Sequence, residues 1–201
     1  MGNCAENTAK NLSISREDQD AYAIESYRRA KVAWDSGAFA EEVTPVTIKT
    51  RKGDVVVAKD EEYEAVRLDK ISTLRPAFQK EGGTVTAANA STFSDGASAV
   101  VIGDESMARK YGGNSRVLVR IVSYADAATK PIDFPLAPTF AIPRALERAG
   151  LEVKDIAKWE INEAFAAVSK ANEKVYTTQL LCLIISQSSA VRLISCIDSR
   201  P

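Results

Sequence analysis

Side chains able to do covalent or acid-base chemistry are few in this chain of 201 residues, and one kind is missing: there are three cysteines and no histidine. Cys4, Cys182 and Cys196 are far apart, with neither a CxxC spacing nor an imidazole to complete a zinc site, so they read as reduced thiols in an intracellular setting. Met1-Gly2-Asn3-Cys4 has the look of an acylated start, but Glu6 stands where a myristoylation pattern needs Ser or Thr. An ordinary approach to a helix is the simpler reading. The stretch EINEAFAA, residues 160–167, sets Asn162 beside an acid at what reads as the end of a strand, with a small-residue helix start behind it. An amide is a neutral donor and could serve an oxyanion that forms only in a transition state. On side-chain chemistry alone, a packing or turn role explains the same residues.

Such groups need a framework, and an apolar content of 45% is enough for a real core in one or two domains. The 26 basic and 27 acidic side chains nearly cancel and are interspersed, which argues against nucleic acid or an anionic membrane as partner. No arginine-rich or signal-type leader precedes the helical pattern that begins almost at Met1, so the sequence is expected to be a piece of a larger fold.

Along the chain, Ser15 and Asp18 form an acid-containing relative of the capping box, followed by Ile24, Tyr27, Lys31 and Trp34 at helical spacing and by Gly37 as a stop. VTPVTIKT and DVVVA flank Arg51-Lys52-Gly53, which predicts a hairpin with Pro45 at an edge. The acidic KDEEYEAVRLDK reads as a solvated loop or short helix. From Gly82 the texture becomes rich in Gly, Ala, Ser and Thr, which lets backbone approach backbone or ligand closely. SAVVIG is expected as a buried strand, 105–111 as a helix stopped by Gly112-Gly113, RVLVRIVSYA as a long strand, and APTFAIPRALERAG as a helix with Pro143 near its start and Gly150 as its stop. Beyond about residue 175 the charges thin to Arg192, Asp198 and Arg200. LLCLII is much too short to span a bilayer, which takes about 20 apolar residues. The segment reads better as a foreign or frame-shifted tail than as a designed domain.

Several stretches in order, MGNCAENTAK, SREDQDAYAIESYRRA, GTVTAANASTFSDGASAVVI and KWEINEAFA, resemble the thiolases. The connecting ADAATKPIDFPLAP is most similar to the short-chain mitochondrial type that handles acetoacetyl-CoA. The resemblance runs from residue 1 to about 174. It implies an α/β fold of αβαβα layers with a remnant of an inserted α+β loop domain. Residues 1–80 would be part of that loop domain, 84–125 the end of the N-terminal domain, 126–174 the start of the C-terminal domain, and 175–201 a tail outside the family pattern. The implied activity is acyl transfer: a Claisen condensation of two acetyl-CoA to acetoacetyl-CoA and its reverse. That chemistry needs a thiolate nucleophile, a group that moves the α-proton, and donors for two oxyanions. The family supplies the first two from cysteines in a Cys-Ser/Ala-Gly and a glycine-rich segment, with a Gly-His-Pro histidine assisting. None of the three is in this chain, so it is expected to be inactive alone.

By the same resemblance, Asn162 orients the water that donates to the thioester oxygen. Ser91 contacts the pantetheine arm of coenzyme A, and Tyr27 and Lys70 make further coenzyme contacts, Lys70 as a point charge for phosphate. Ala65 stands where an Arg is expected, leaving Arg67 to reach the nucleotide. Potassium is implied as a ligand, held by backbone oxygens of Ala87, Ala88 and Ala90 beside the Tyr27 hydroxyl. Phe134-Pro135 matches a pair lining the acyl pocket. Expected partners are acyl-CoA and intact thiolase subunits of a homotetrameric family, and the compartment is mitochondrial by resemblance, with the cytoplasm left open by the missing leader. The alternative function is a non-catalytic acyl-CoA binder or subunit-interaction remnant.

Overall fold

The computed structural model describes residues 1–94, 96–111 and 119–176. Helix α1 (Gly2–Asn11) turns into α2 (Arg16–Asp35) through Ser13, which takes a left-handed backbone at φ 51°. The start of α2 forms as expected. The Asp18 N–H donates to the Ser15 hydroxyl at 3.0 Å, and the Ser15 N–H donates back to the Asp18 carboxylate at 3.1 Å, satisfying two amides that the first turn leaves without helical partners. Gly37, at φ 73°, lies just past the helix end, where a side chain would be strained.

Strands β1 (Val46–Thr50) and β2 (Gly53–Val57) form the predicted hairpin, with Val46 opposite Val57 and Ile48 opposite Val55. The Thr50 hydroxyl closes its turn by donating to the Gly53 carbonyl at 2.7 Å. Every hairpin residue is exposed, including the apolar face. The acidic stretch that follows becomes the short helix α3 (Glu62–Ala65) and a 3-10 segment, Leu68–Thr73. Tyr63 and Ile71 are buried there, and Tyr63 stacks on Trp34 with ring centres 6.3 Å apart. Helix α4 (Glu105–Tyr111) forms as expected, while its Gly112-Gly113 stop lies outside the described residues, as do Cys182, Cys196 and the tail from 177.

The larger core joins α1 to α6 (Ala166–Tyr176). Ala5 and Ala9 face Ala167, Val168 and Ala171, with Ile14, Val85 and Phe165 closing the cluster. Alanines at the contact let the two helices approach closely. A second cluster puts Ile142 of α5 (Ala137–Ala149) against Ile156, Trp159 and Tyr176, the last two stacked at 6.2 Å. Helix α5 ends on Gly150 in a left-handed conformation, as predicted. Pro143 lies well inside it instead of near its start; Pro138 takes the early position. Proline has no N–H for the carbonyl four residues back. The structure offsets this through Tyr176, whose hydroxyl donates to the Thr139 carbonyl at 2.9 Å.

Two expected strands do not form. Residues 98–103 are irregular and exposed, with Val101 entirely so. A strand is held by ladder bonds to a neighbour, and none of the described segments runs beside this one. Of the predicted strand at 116–125, residues 119–125 are irregular as well. They are stitched to α5 by side chains instead: Arg148 donates to the Tyr124 carbonyl at 2.7 Å, Arg144 to the Asp126 carbonyl at 2.9 Å, and Ser123 to the Ala145 carbonyl at 2.7 Å. The mixed α/β class stands, with strand pairing among the described residues confined to the hairpin and one isolated bridge. None of the described helices is long and apolar enough to cross a membrane.

Candidate functional site

That isolated bridge is where the site is assembled. Ala90 pairs antiparallel with Phe165: the Ser91 N–H donates to the Ala164 carbonyl at 3.0 Å, and the Ala166 N–H donates to the Asn89 carbonyl at 2.8 Å. Two loops far apart in sequence, one carrying Ser91 and the other Asn162, therefore lie side by side. Both residues are exposed. Phe165 itself is in the core.

Buried polar groups hold the first loop. Glu6, 4% exposed, accepts from the Thr84 N–H, the Thr84 hydroxyl and the Val85 N–H at 2.8–3.0 Å. Asn89 uses its whole amide: Nδ2 donates to Asp20 Oδ1 and to the Thr84 carbonyl, each at 3.0 Å, while Oδ1 accepts from the Thr86 N–H at 2.8 Å. Gly83 begins the loop, and a Cβ there would come within 2.3 Å of the Gln79 carbonyl, so only glycine permits this approach. Asp20 also pairs with Arg16 at 2.7 Å, and Arg16 donates to the carbonyls of Ile71 and Leu74 at 3.0 Å. One ion pair thus ties the Asn89 loop to the segment carrying Lys70. Glu6, Arg16, Asp20 and Asn89 were missed as positioning groups. Their only sequence signal is that Glu6 and Asp20 fall on the same inward stripes as the apolar residues of their helices.

On the other side, the Tyr22 hydroxyl donates to Glu163 Oε1 at 2.8 Å. Burial raises the Glu163 carboxyl above its ordinary range, opposed by the Tyr22 hydrogen bond, with Glu160 adding repulsion and Arg29 attraction. Burial and the Glu163 charge push the Tyr22 phenol well upward.

The remaining expected residues are less closely gathered. Arg67 and Lys70 are exposed and both reach Asp69, at 3.3 and 3.9 Å, leaving the trio one net positive charge. Tyr27 is half-buried, and its phenol is raised by burial and then by Glu62 and Asp60. Ala87 is exposed, Ala88 buried and Ala90 intermediate; their carbonyls accept no hydrogen bond among the described residues. Nor do those residues contain a cluster of three or more His, Cys, Asp or Glu suited to a metal. Phe134 packs on the main core, and Pro135 is buried with its carbonyl accepting from Asn172 at 3.1 Å. The Cys4 thiol is partly buried and donates to the Pro131 carbonyl at 3.6 Å.

Residues 1–106 match the family described as thiolase, N-terminal domain, and residues 115–185 match thiolase, C-terminal domain. The chain is 59% identical over 176 residues to a mitochondrial acetyl-CoA acetyltransferase of Gibberella zeae, covering 87% of this chain and 41% of that protein. It is 58% identical over 176 residues to the mitochondrial acetyl-CoA acetyltransferase of Rattus norvegicus, with the same coverage. Among solved structures, the Bacillus anthracis acetyl-CoA acetyltransferase superposes with a TM-score of 0.83 at 40% identity, covering 88% of this chain and 44% of that one. The Ascaris suum Acat5 thiolase, solved in complex with coenzyme A, gives 0.75 at 44% identity over 87% of this chain and 44% of its own. The chain therefore spans well under half the length of the curated relatives it matches, and it belongs to the thiolase family.

Proposed function

We propose that these residues form the coenzyme-A-facing portion of an acetyl-CoA acetyltransferase, whose full reaction joins two acetyl-CoA into acetoacetyl-CoA and reverses it. The observation that supports this reading is the Ala90–Phe165 bridge, which sets the loop that carries the Ser91 hydroxyl beside the loop that carries the Asn162 amide. Ser91 would lie along the pantetheine arm, Asn162 would orient a water toward the thioester oxygen, and Tyr27, Arg67 and Lys70 would meet the nucleotide end, the two cations through phosphate. Domain limits at 1–80, 84–125 and 126–174 belong to the same reading, as does a mitochondrial compartment, which the mitochondrial relatives support.

Potassium fits the donor set. The carbonyls of Ala87, Ala88 and Ala90 accept no hydrogen bond among the described residues, and backbone oxygens are donors that suit a hard cation. A hard cation held there would stiffen the 87–90 backbone and so the placing of Ser91.

The condensation itself needs a cysteine nucleophile and an imidazole, and these 201 residues hold no histidine at all. By themselves they would bind acyl-CoA without turnover. The reading of a non-catalytic partner for intact thiolase subunits is favoured by the uncovered apolar residues Val100, Val101 and Ile102. Calorimetry with coenzyme A on the purified chain tests the proposal. Saturable binding is expected, and its absence would overturn the reading. Acetoacetyl-CoA cleavage by a homogeneous sample would refute the claim that these residues alone do not turn over.

A further inference from the structure

We propose that Glu163 is a positioning residue: its carboxylate, gripped by the Tyr22 hydroxyl, fixes the backbone from which the Asn162 amide holds the water that donates to a thioester oxygen. This rests on the role given to Asn162 above. Asn162 is exposed and makes no side-chain hydrogen bond among the described residues, so its aim depends on how its backbone is held. The two bridge bonds act further along, at residues 164 and 166. Next to Asn162 the tie is the Tyr22–Glu163 hydrogen bond, 2.8 Å long and closing 141 residues of sequence.

Tyr22 stands on α2, two residues from Asp20, which anchors Asn89 on the opposite loop. One helix thus holds both partners of the bridge. A carboxylate is a costly choice for a half-buried position that needs only packing, since desolvation works against its charge. The phenol offsets part of that cost. The hydroxyl of Ser169, buried on α6, has no hydrogen-bond partner among the described residues, and the acceptor that fixes the Tyr22 hydroxyl is Glu163.

The test uses the complete 201-residue chain, isotopically labelled, with the Asn162 side-chain amide resonances as a reporter and binding of acetyl-CoA compared with that of free coenzyme A. Only acetyl-CoA has the thioester oxygen that Asn162 serves. A preference of about fivefold is expected, the worth of one net hydrogen bond. Tyr22→Phe and Glu163→Ala should each shift the Asn162 resonances and bring the preference to unity, leaving coenzyme A affinity in place. The double variant should go no further than either single one. Glu163→Gln, which keeps an oxygen that can accept from Tyr22, should restore both readouts. Unmoved Asn162 resonances in Tyr22→Phe and Glu163→Ala, or additive changes in the double variant, would overturn the proposal. Should neither ligand bind the parent chain, the coenzyme reading fails while the resonances still decide the role of Glu163.

Discussion

Replacing Glu6 by alanine removes the acceptor that three donors share. The Thr84 and Val85 amides and the Thr84 hydroxyl all point to this one carboxylate, which is 4% exposed. The hydroxyl can rotate toward another partner, but the two amides are fixed by the chain. Each buried amide left without a partner costs about 1–3 kcal/mol, and Thr84, being half-buried, recovers some hydration. The sum is about 3 kcal/mol, a large part of the roughly 5–15 kcal/mol that keeps a domain folded. At about 2–4 °C per kcal/mol for a chain of this size, the melting temperature should fall by roughly 6–12 °C. Glu6→Gln should fall between the two, because its NH2 would face donors. Chemical denaturation followed by circular dichroism measures both. A Glu6→Ala chain within about 0.5 kcal/mol of the parent, the range of ordinary surface changes, would refute the assignment of Glu6 as the anchor of the 84–91 loop.

Ser15→Ala should cost about 1 kcal/mol through loss of the α2 cap, read from the same denaturation curves. The Asp18 carboxyl is held below its ordinary 3.8 by the Ser15 amide and then by the Ser15 hydroxyl. Its contribution is therefore present above that pH and is lost as pH falls through the lowered folded value, so the gap between the parent and Asp18→Asn should close below about pH 4. A gap that widens in acid would contradict this sign. Tyr176→Phe keeps the ring on Trp159 but strips the donor from the Thr139 carbonyl that Pro143 cannot serve, and should cost about 1–2 kcal/mol in a thermal melt. An unchanged melt would show that this carbonyl is satisfied without Tyr176.

What could be read from the sequence was what depends on near neighbours. The Ser15–Asp18 cap, the hairpin about Arg51-Lys52 and the Gly150 stop each follow from residues within a few positions, and each is present. Residues 98–103 failed because a strand is a property of a pair, and apolar β-branched composition says nothing about whether a neighbour is there. Glu6 and Asp20 look like solvated helix acids until the loop they serve is folded against them. The Tyr22–Glu163 contact and the Ala90–Phe165 bridge join residues too far apart for any spacing rule. Of the candidate site, Ser91 and Asn162 are proposed through family resemblance, and the structure adds that their loops are neighbours.

Asn89 gives the loop a chemical lifetime as well as a shape. Its two amide hydrogens go to an acid and a carbonyl, and its oxygen takes an amide proton. Slow hydrolysis of that side chain to aspartate, the ordinary ageing of asparagine, would change hardly any volume. It would nevertheless turn the contact with Asp20 into repulsion between two carboxylates at hydrogen-bond distance, with nothing left to donate to Thr84. A deamidation at Asn89 would spring the loop from its anchor, so molecules whose added mass maps to this position should be more acidic and loosened, while the hydrogen bonds that hold the amide in the folded chain protect it from that reaction.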